Sequence, residues 1–356
     1  MSFPFSLFFP RRRVAAAIVS TVRNAANLLP SFLQYHFAVG FSRVFLFFDS
    51  KADPSIEIAR QFPFVTTTVR DAKLERLWLK TRVYRTNPRV RNHLETEAMA
   101  RQILNAELGL RMALQQRITW LLHIDADELF YCPGGLVTEH FRQLANQGCA
   151  CVKYLNHEAI PESSDLDDCF REATLFKRNP ALLPENPDQH ANPNLYPKQS
   201  HFQFYTNGKS AVKVTRSALP IGVHDFSPGP QRRFSRQRRT LLLADPYAPV
   251  ILHYPCCGFE NFWTKYVTLG HFADKWWGTV DISSPFHLES RDVVAQRDKV
   301  AARLCYEQAM VLRDPAVKAA QLKNNRFTRI TYPAEVLDRL RIIRQSKSDS
   351  GIVRSP

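Results

Sequence analysis

The run from Trp120 to Phe130, WLLHIDADELF, stays apolar until it meets three acids, Asp125, Asp127 and Glu128. Read as a buried strand, it turns alternate side chains to one face, so Asp125 and Asp127 share a side where the strand leaves its sheet. Two carboxylates placed together repel each other and lose hydration against apolar neighbours. A hard divalent cation or a basic partner offsets both costs, so the chemistry on offer is cation binding. A polar turn with Asp127 or Glu128 capping a following helix accounts for the same residues, and Pro133, Gly134 and Gly135 do mark a turn.

Such acids need a scaffold. Val14 to Val22 is apolar and β-branched enough for a buried strand. Asn27 could then cap a helix whose residues Leu28, Leu29, Phe32, Leu33 and Phe37 recur at helical spacing, with Gly40 closing it. Arg43 to Phe48, ending at Asp49 and Ser50, and Val65 to Val69 read as further strands, an order that predicts right-handed parallel crossovers. Good helix formers from about Glu95 to Leu114 put Ile103, Leu104, Leu108 and Met112 on one side and lead into Trp120–Ile124. The first 155 residues thus read as an alternating α/β unit. Ligands of open parallel sheets gather beyond the carboxyl ends of the strands, where Thr21 to Asn24, Asp49 to Ser50 and Asp125 to Asp127 all fall. These same residues would also make ordinary polar turns.

Beyond Leu155 the pattern loosens. Pro161 to Pro197 is rich in Pro, Asn, Asp and Glu and reads as a long loop or insertion. Ser210 to Thr215 and Val250 to Tyr254 are candidate strands flanking Gln231 to Arg239, where five of nine residues are arginine. An aromatic helix from about Phe259 to Lys275, a second helix from about Ser290 to Leu312 and a basic one from Ala334 to Arg344 follow.

At 356 residues and 45% hydrophobic content the chain can bury a large core. Its 48 Lys plus Arg against 33 Asp plus Glu give a formal charge of +15, which favours anionic partners: diphosphates, nucleic acid or an anionic membrane face. Seven cysteines, an odd count without a zinc-ribbon pattern, do not indicate a full disulfide framework. The apolar stretch Phe3 to Phe9 is too short to span a bilayer and precedes its arginines rather than following them, so no signal peptide or anchor is expected within this chain.

Four segments, in order, are VSTVRNAANLLPSFLQYHFAVGFSRVFLFFDS, RQILNAELGL running into ITWLLHIDADELF, GKSAVKVTRSALPIGVHDF, and ILHYPCCGFENFWTKYVTLGHFADKWWG. Together they resemble the nucleotide-sugar glycosyltransferases of the GT-A fold, most closely the family-92-like and family-2-like enzymes. The resemblance implies a GT-A-like, Rossmann-like α/β/α sandwich with a mixed, mainly parallel sheet. The catalytic domain would cover residues 14–280 and a C-terminal helical extension 281–345, with flexible tails at 1–13 and 346–356. It implies sugar transfer from a nucleoside diphosphate sugar, a UDP-sugar by preference, to a glycan or other hydroxyl acceptor. Golgi residence is the family's habit, although this chain shows no anchor.

The same resemblance puts Mn²⁺, or Mg²⁺ in its place, on Asp125 and Asp127, where it would stabilise the diphosphate leaving group. An imidazole ligand tilts the choice toward Mn²⁺; His224 in GVHDF is the candidate, though it could instead cap or bond a loop backbone, and His253 in LHYP is the next. Thr21, Arg23, Asn24, Asp49 and Lys209, with Asp125, are the expected nucleotide-sugar contacts. Arg23 and Lys209 would bind phosphate and Asp49 a uracil or ribose, unless Asp49 simply forms an Asx-turn. Inversion needs a carboxylate base, for which Glu260 comes first and Asp274 second; a solvated helix acid is the plain alternative. Trp263, Lys265 and Trp276 are the acceptor-side candidates, Tyr266 and Trp277 could also stack on a sugar, and aromatics this dense equally build cores.

A rival reading makes the Arg232–Arg239 cluster a nucleic-acid or anionic-membrane surface. Phe234 is its sole aromatic, so a stacking groove for nucleic acid is not expected, and a solvated basic loop explains it more simply.

Overall fold

The computed structural model describes residues 14–183, 204–229, 239–243, 248–282 and 284–350, with 239–243 and 343–350 described by backbone alone. The Arg232–Arg239 side chains, His201, residues 184–197 of the Pro161–Pro197 segment and the tails 1–13 and 351–356 lie outside the described residues, while the first part of that segment is not a plain loop but holds a short helix Cys169–Glu172 and a strand Leu175–Lys177.

Sixteen strands are described. Those of the larger sheet are β1 (Ala16–Val22), β2 (Arg43–Phe48), β3 (Val65–Val69), β4 (Trp120–His123), β6 (Cys149–Tyr154), β9 (Lys209–Lys213) and β12 (Arg239–Leu243). A second sheet takes β5 (Glu128–Tyr131), β7 (Asn156–Ile160), β8 (Leu175–Lys177), β13 (Val250–His253) and β16 (Phe327–Arg329). Two small ribbons pair β10 (Leu219–Pro220) with β11 (Phe226–Ser227) and β14 (Lys275–Trp276) with β15 (Val280–Asp281).

The seven-stranded sheet runs β12-β6-β9-β4-β1-β2-β3, and all of its neighbours pair parallel except β9, which is antiparallel to both β6 and β4. It is mixed and mainly parallel, as the sequence led one to expect. Strand alternation sorts its apolar side chains into two cores. Ile18, Val44, Leu46 and Leu122 face the helices Leu29–Ala38 and Val137–Asn146, whereas Ala17, Val19, Phe45, Phe47 and Leu121 face the long helix Ala98–Gln115. The result is an α/β/α sandwich. Gly109 lets the long helix approach β1 closely, since a Cβ there would lie 2.7 Å from Val19 Cγ2.

Several expected elements differ in detail. Leu28, not Asn27, stands at the first helix's N-cap without a side-chain bond, and Asn27 lines a cavity instead. The aromatic helix stops at Leu269, where Gly270 adopts φ +64°, so Asp274 is not helical. The stretch Ser290–Leu312 is two helices, Pro285–Ala295 and Lys299–Met310, separated at Arg297 with φ +61°. Their aromatic and aliphatic residues form a separate core with Phe259, Phe262 and Tyr266. The last helix runs Tyr332–Ser350.

The two sheets exchange strands at two places. β4 leaves the large sheet at His123 and β5 enters the small one at Glu128; β6 ends at Tyr154 and β7 begins at Asn156, with Leu155 alone between them.

Candidate functional site

The run Trp120–Phe130 is therefore not one strand. It breaks at Ile124–Asp127 into a tight turn closed by Glu128 N–H donating to the Asp125 carbonyl at 3.1 Å, while Asp125 N–H donates to the Glu128 carboxylate at 2.8 Å. Turn geometry, rather than strand alternation, sets both Asp side chains toward a cavity of about 470 Å³ at the carboxyl ends of β1, β2 and β4.

Each carboxylate has its own lysine. Asp125 Oδ2 accepts from Lys209 Nζ at 2.5 Å and Oδ1 from Gln102 Nε2 at 2.8 Å. Burial would raise the Asp125 carboxyl, but the Lys209 ammonium overrides it and holds the group well below the usual carboxylate range. Lys209 is 2% exposed and stands 3.5 Å from Glu128, which is fully buried and accepts a short hydrogen bond from Tyr205 Oη. Because Lys209 serves Asp125 first, burial pushes Glu128 up to about 7. Asp127 Oδ2 accepts from Lys265 Nζ at 3.1 Å; burial again opposes ionisation, and Lys265 with His253 outweighs it and lowers the carboxyl.

Two histidines border the cavity. His253 Nε2 lies 3.8 Å from Asp127 Oδ2, and its Nδ1 lies 2.8 Å from the buried carboxylate of Glu158, itself held by Asn156 Nδ2 at 2.6 Å. With Nδ1–H donated to Glu158, Nε2 turns its lone pair toward Asp127 oxygen, a repulsive meeting that a proton or a shared cation relieves. Burial lowers the His253 pKa, but Glu158 reverses the shift and the net direction is upward. His224 is arranged differently: its Nδ1 lies 2.8 Å from the Gly208 carbonyl, and burial followed by Lys209 lowers it to about 4.

Thr21, Arg23, Asn24, Asp49, Lys209, Asp125, Asp127, His224, Lys265 and Trp276 all line this cavity. Thr21 Oγ1 accepts from Asn105, and Asn24 Nδ2 donates to Thr268 Oγ1 at 2.9 Å, linking the end of β1 to the aromatic helix. Both oxygens of Asp49 accept from Arg101, at 2.6 and 2.8 Å. Five expected residues lie elsewhere, among them Tyr266, buried in the separate aromatic core, and Trp277, packed against His93. Glu260 is 60% exposed, pairs with Lys299 and lines a separate groove with Val300 and Arg303; Asp274 is 73% exposed and pairs with Arg291 at 2.7 Å. Neither faces the acidic pair, because Glu260 sits in the first turn of the aromatic helix while Lys265 and Thr268 turn inward further along. Trp263 packs near Phe259 under the Lys299 ammonium, outside the cavity.

Sequence reading missed Gln102, Arg101, Glu158 and Tyr205. Of these only Arg101 carried a signal: with Asn105 and Glu107 it lies on the buried side of an otherwise apolar-faced helix, and a buried polar group requires a partner. Among the described residues no group of three or more His, Cys, Asp or Glu forms a ready-made cation cage. Asp127 and His253 nonetheless fit as two ligands of one hard cation, since 3.8 Å separates atoms that would each bond it at about 2.1 Å.

No protein-family model matches the chain. Two glycosyltransferase-like proteins of Arabidopsis thaliana are similar to it. One is 26% identical over 341 residues, covering 90% of this chain and 62% of that protein; the other is 25% identical over 344 residues, covering 90% and 71%. The chain thus spans less than two thirds of the first relative's length. Among solved structures, 4-diphosphocytidyl-2C-methyl-D-erythritol synthase from Anaerococcus prevotii aligns with a TM-score of 0.26 and 13% identity, covering 56% of this chain and 70% of that one. A CMP:2-keto-3-deoxy-manno-octonic acid synthetase complexed with CTP aligns with a TM-score of 0.22 and 13% identity, covering 56% and 74%. At such scores neither likeness bears on function. No helix among the described residues is long and apolar enough to cross a membrane.

Proposed function

We propose that the chain transfers a glycosyl group from a nucleoside diphosphate sugar, a UDP-sugar by preference, to a hydroxyl of a glycan or other acceptor. The observation that carries this reading is one cavity at the strand ends in which Asp125 and Asp127 meet His253, Asp49, Arg23 and Asn24. Similarity to two glycosyltransferase-like proteins over nine tenths of the chain supports it.

A bound Mn²⁺ or Mg²⁺ would supply Lewis-acid stabilisation of the departing diphosphate. Asp127 and His253 would hold it, with phosphate oxygens and water completing the shell, as such ions commonly require. Glu158 fixes the His253 tautomer, and Gln102 with Lys209 fixes Asp125. Arg23, exposed at the cavity wall with no ion-pair partner among the described residues, is free to bind phosphate through charge-assisted bonds. Arg101 presents the Asp49 carboxylate in one orientation for an N–H or ribose hydroxyl donor. Phe204, Leu269 and Trp276 make the cavity's apolar side, suited to a pyranose and its acceptor. Inversion requires a carboxylate facing the acceptor, and neither Glu260 nor Asp274 supplies one.

Calorimetric titration of UDP with and without Mn²⁺ tests the reading. Mn²⁺-dependent binding is expected, and the double change Asp125→Ala, Asp127→Ala should abolish the metal-dependent part. Binding that keeps its Mn²⁺ dependence in that variant would overturn the assignment. Hydrolysis assays across UDP and GDP sugars then identify the donor.

A further inference from the structure

The long helix Ala98–Gln115 is flanked on its outer side by three short helices, Ala72–Trp78, Arg82–Thr86 and Pro88–Asn92, which bury Leu74, Trp78, Val83 and Val90 against it. Trp78 is fully buried, and its indole N–H donates to Asn105 at 2.7 Å. At about 100° per residue, Arg76 lies opposite Leu74 and Trp78 with Lys73 and Leu77 to one side of it, and Leu79 and Lys80 follow in the turn that ends the helix. All five are exposed, Leu77 by 37% and Leu79 by 48%. The next two helices carry exposed Arg85, Arg89 and Arg91, of which Arg89 lies over the Trp277 ring at 4.9 Å. Arg85 and Arg111 both donate to the Lys80 carbonyl, at 3.5 and 2.9 Å, so three cationic residues crowd one stretch of backbone.

The acids nearby are already engaged. Asp71 caps the Leu74 amide at 2.8 Å, and Glu75 binds Arg70 at 3.0 Å. Glu107 is buried and divides itself between the Arg82 and Val83 amides and Arg111. Lys73, Arg76, Lys80 and Arg91 have no ion-pair partner among the described residues. Leu114, one turn beyond Arg111, is exposed as well. A surface of one sign attracts any polyanion, but a soluble polyanion gives the leucines nothing. A bilayer interface takes both: cations at the headgroups, their stems snorkelling, and leucines at the acyl boundary.

We propose that this lysine, arginine and leucine face docks the chain peripherally on a membrane surface bearing anionic phospholipids. Gln102 lines the cavity and Arg111 borders the docking face on the same rigid helix, about 13 Å apart along its axis, so attachment holds the cavity near the membrane. The proposal does not depend on the glycosyl-transfer reading.

Co-sedimentation of the full chain with phosphatidylcholine vesicles, with and without phosphatidylserine, is the test. Binding is expected only with phosphatidylserine, weakening as salt rises. R76E/K80E should cut partitioning roughly tenfold or more, and L77Q/L79Q should remove a part that high salt does not. Thermal melting confirms that both variants fold, and K73E/R91E serves as a second charge-reversed pair. Wild-type binding by R76E/K80E and K73E/R91E would overturn the proposal. Loss of binding on reversing Arg232 and Arg233 alone would do the same by moving the contact to that segment. A third overturning result is equal binding to single-stranded RNA with no effect of the leucine changes, which marks a general polyanion surface.

Discussion

Lys209 shows how much of the site depends on residues far apart in the chain. It reaches Asp125 across 84 positions and stands between that carboxylate and Glu128 with almost no solvent to share the charge. Lys209→Met would leave two acids buried without their cation, and a loss of about 3–5 kcal/mol in urea unfolding is expected; a loss below about 1 kcal/mol would mean the acids find another partner. His253→Gln should keep the fold while weakening Mn²⁺ binding by tenfold or more in calorimetry, whereas the same change at His224 should not. The acidic pair was legible in the sequence because acids directly after an apolar run stand out. His253 and Glu158 were less so, since their bond spans 95 positions and no spacing rule joins them. Glu260 and Asp274 misled for the opposite reason: acids near aromatic residues look functional until helix phase and helix length are known.

Elements were read best where burial is two-sided. β1 and β2 are mostly apolar and almost wholly buried, and their existence and order came directly from that apolar pattern. Of the second sheet only β13 was legible, because β7 carries the buried polar residues Asn156, His157 and Glu158, β8 is three residues long, and β5 hides inside a run that looked like one strand. Two glycines make sharp predictions here. Gly208, at φ +65°, places its missing Cβ 2.0 Å from the Tyr154 carbonyl oxygen, so G208A must push β9 off β6 and displace the adjoining Lys209. It should cost more than about 2 kcal/mol and impair UDP binding as well. Gly109→Ala meets only the side chain of Val19, a softer obstacle, and should cost about 1–3 kcal/mol with nucleotide binding retained. Urea melts of the two variants, paired with calorimetry, separate these outcomes.

Across the whole molecule, histidine burial sets an acid limit. His36 donates to the Phe32 carbonyl and accepts from Phe130 N–H, and burial lowers it to about 3; His123 is lowered likewise, and His140, His157, His224 and His287 to about 4. Groups whose folded pKa lies below the unfolded value near 6.5 bind more protons when unfolded. Their contribution is complete above about pH 6.5 and is lost as pH falls toward 4, by up to about 1.4 kcal/mol per pH unit for each. His253 is shifted the other way and weakens that slope, and Glu128 favours lower pH between about 4.5 and 7. Stability measured by urea melts should therefore fall steeply from pH 6 to pH 4.5, and His36→Gln should flatten the fall. The strand exchange at Ile124–Asp127 has a further consequence. A motif that stitches two hydrogen-bonded ladders together cannot breathe by itself, so amide deuterium uptake at Asp125 and Glu128 should be as slow as that of the central strands, and the acidic pair should stay rigid before any ligand arrives.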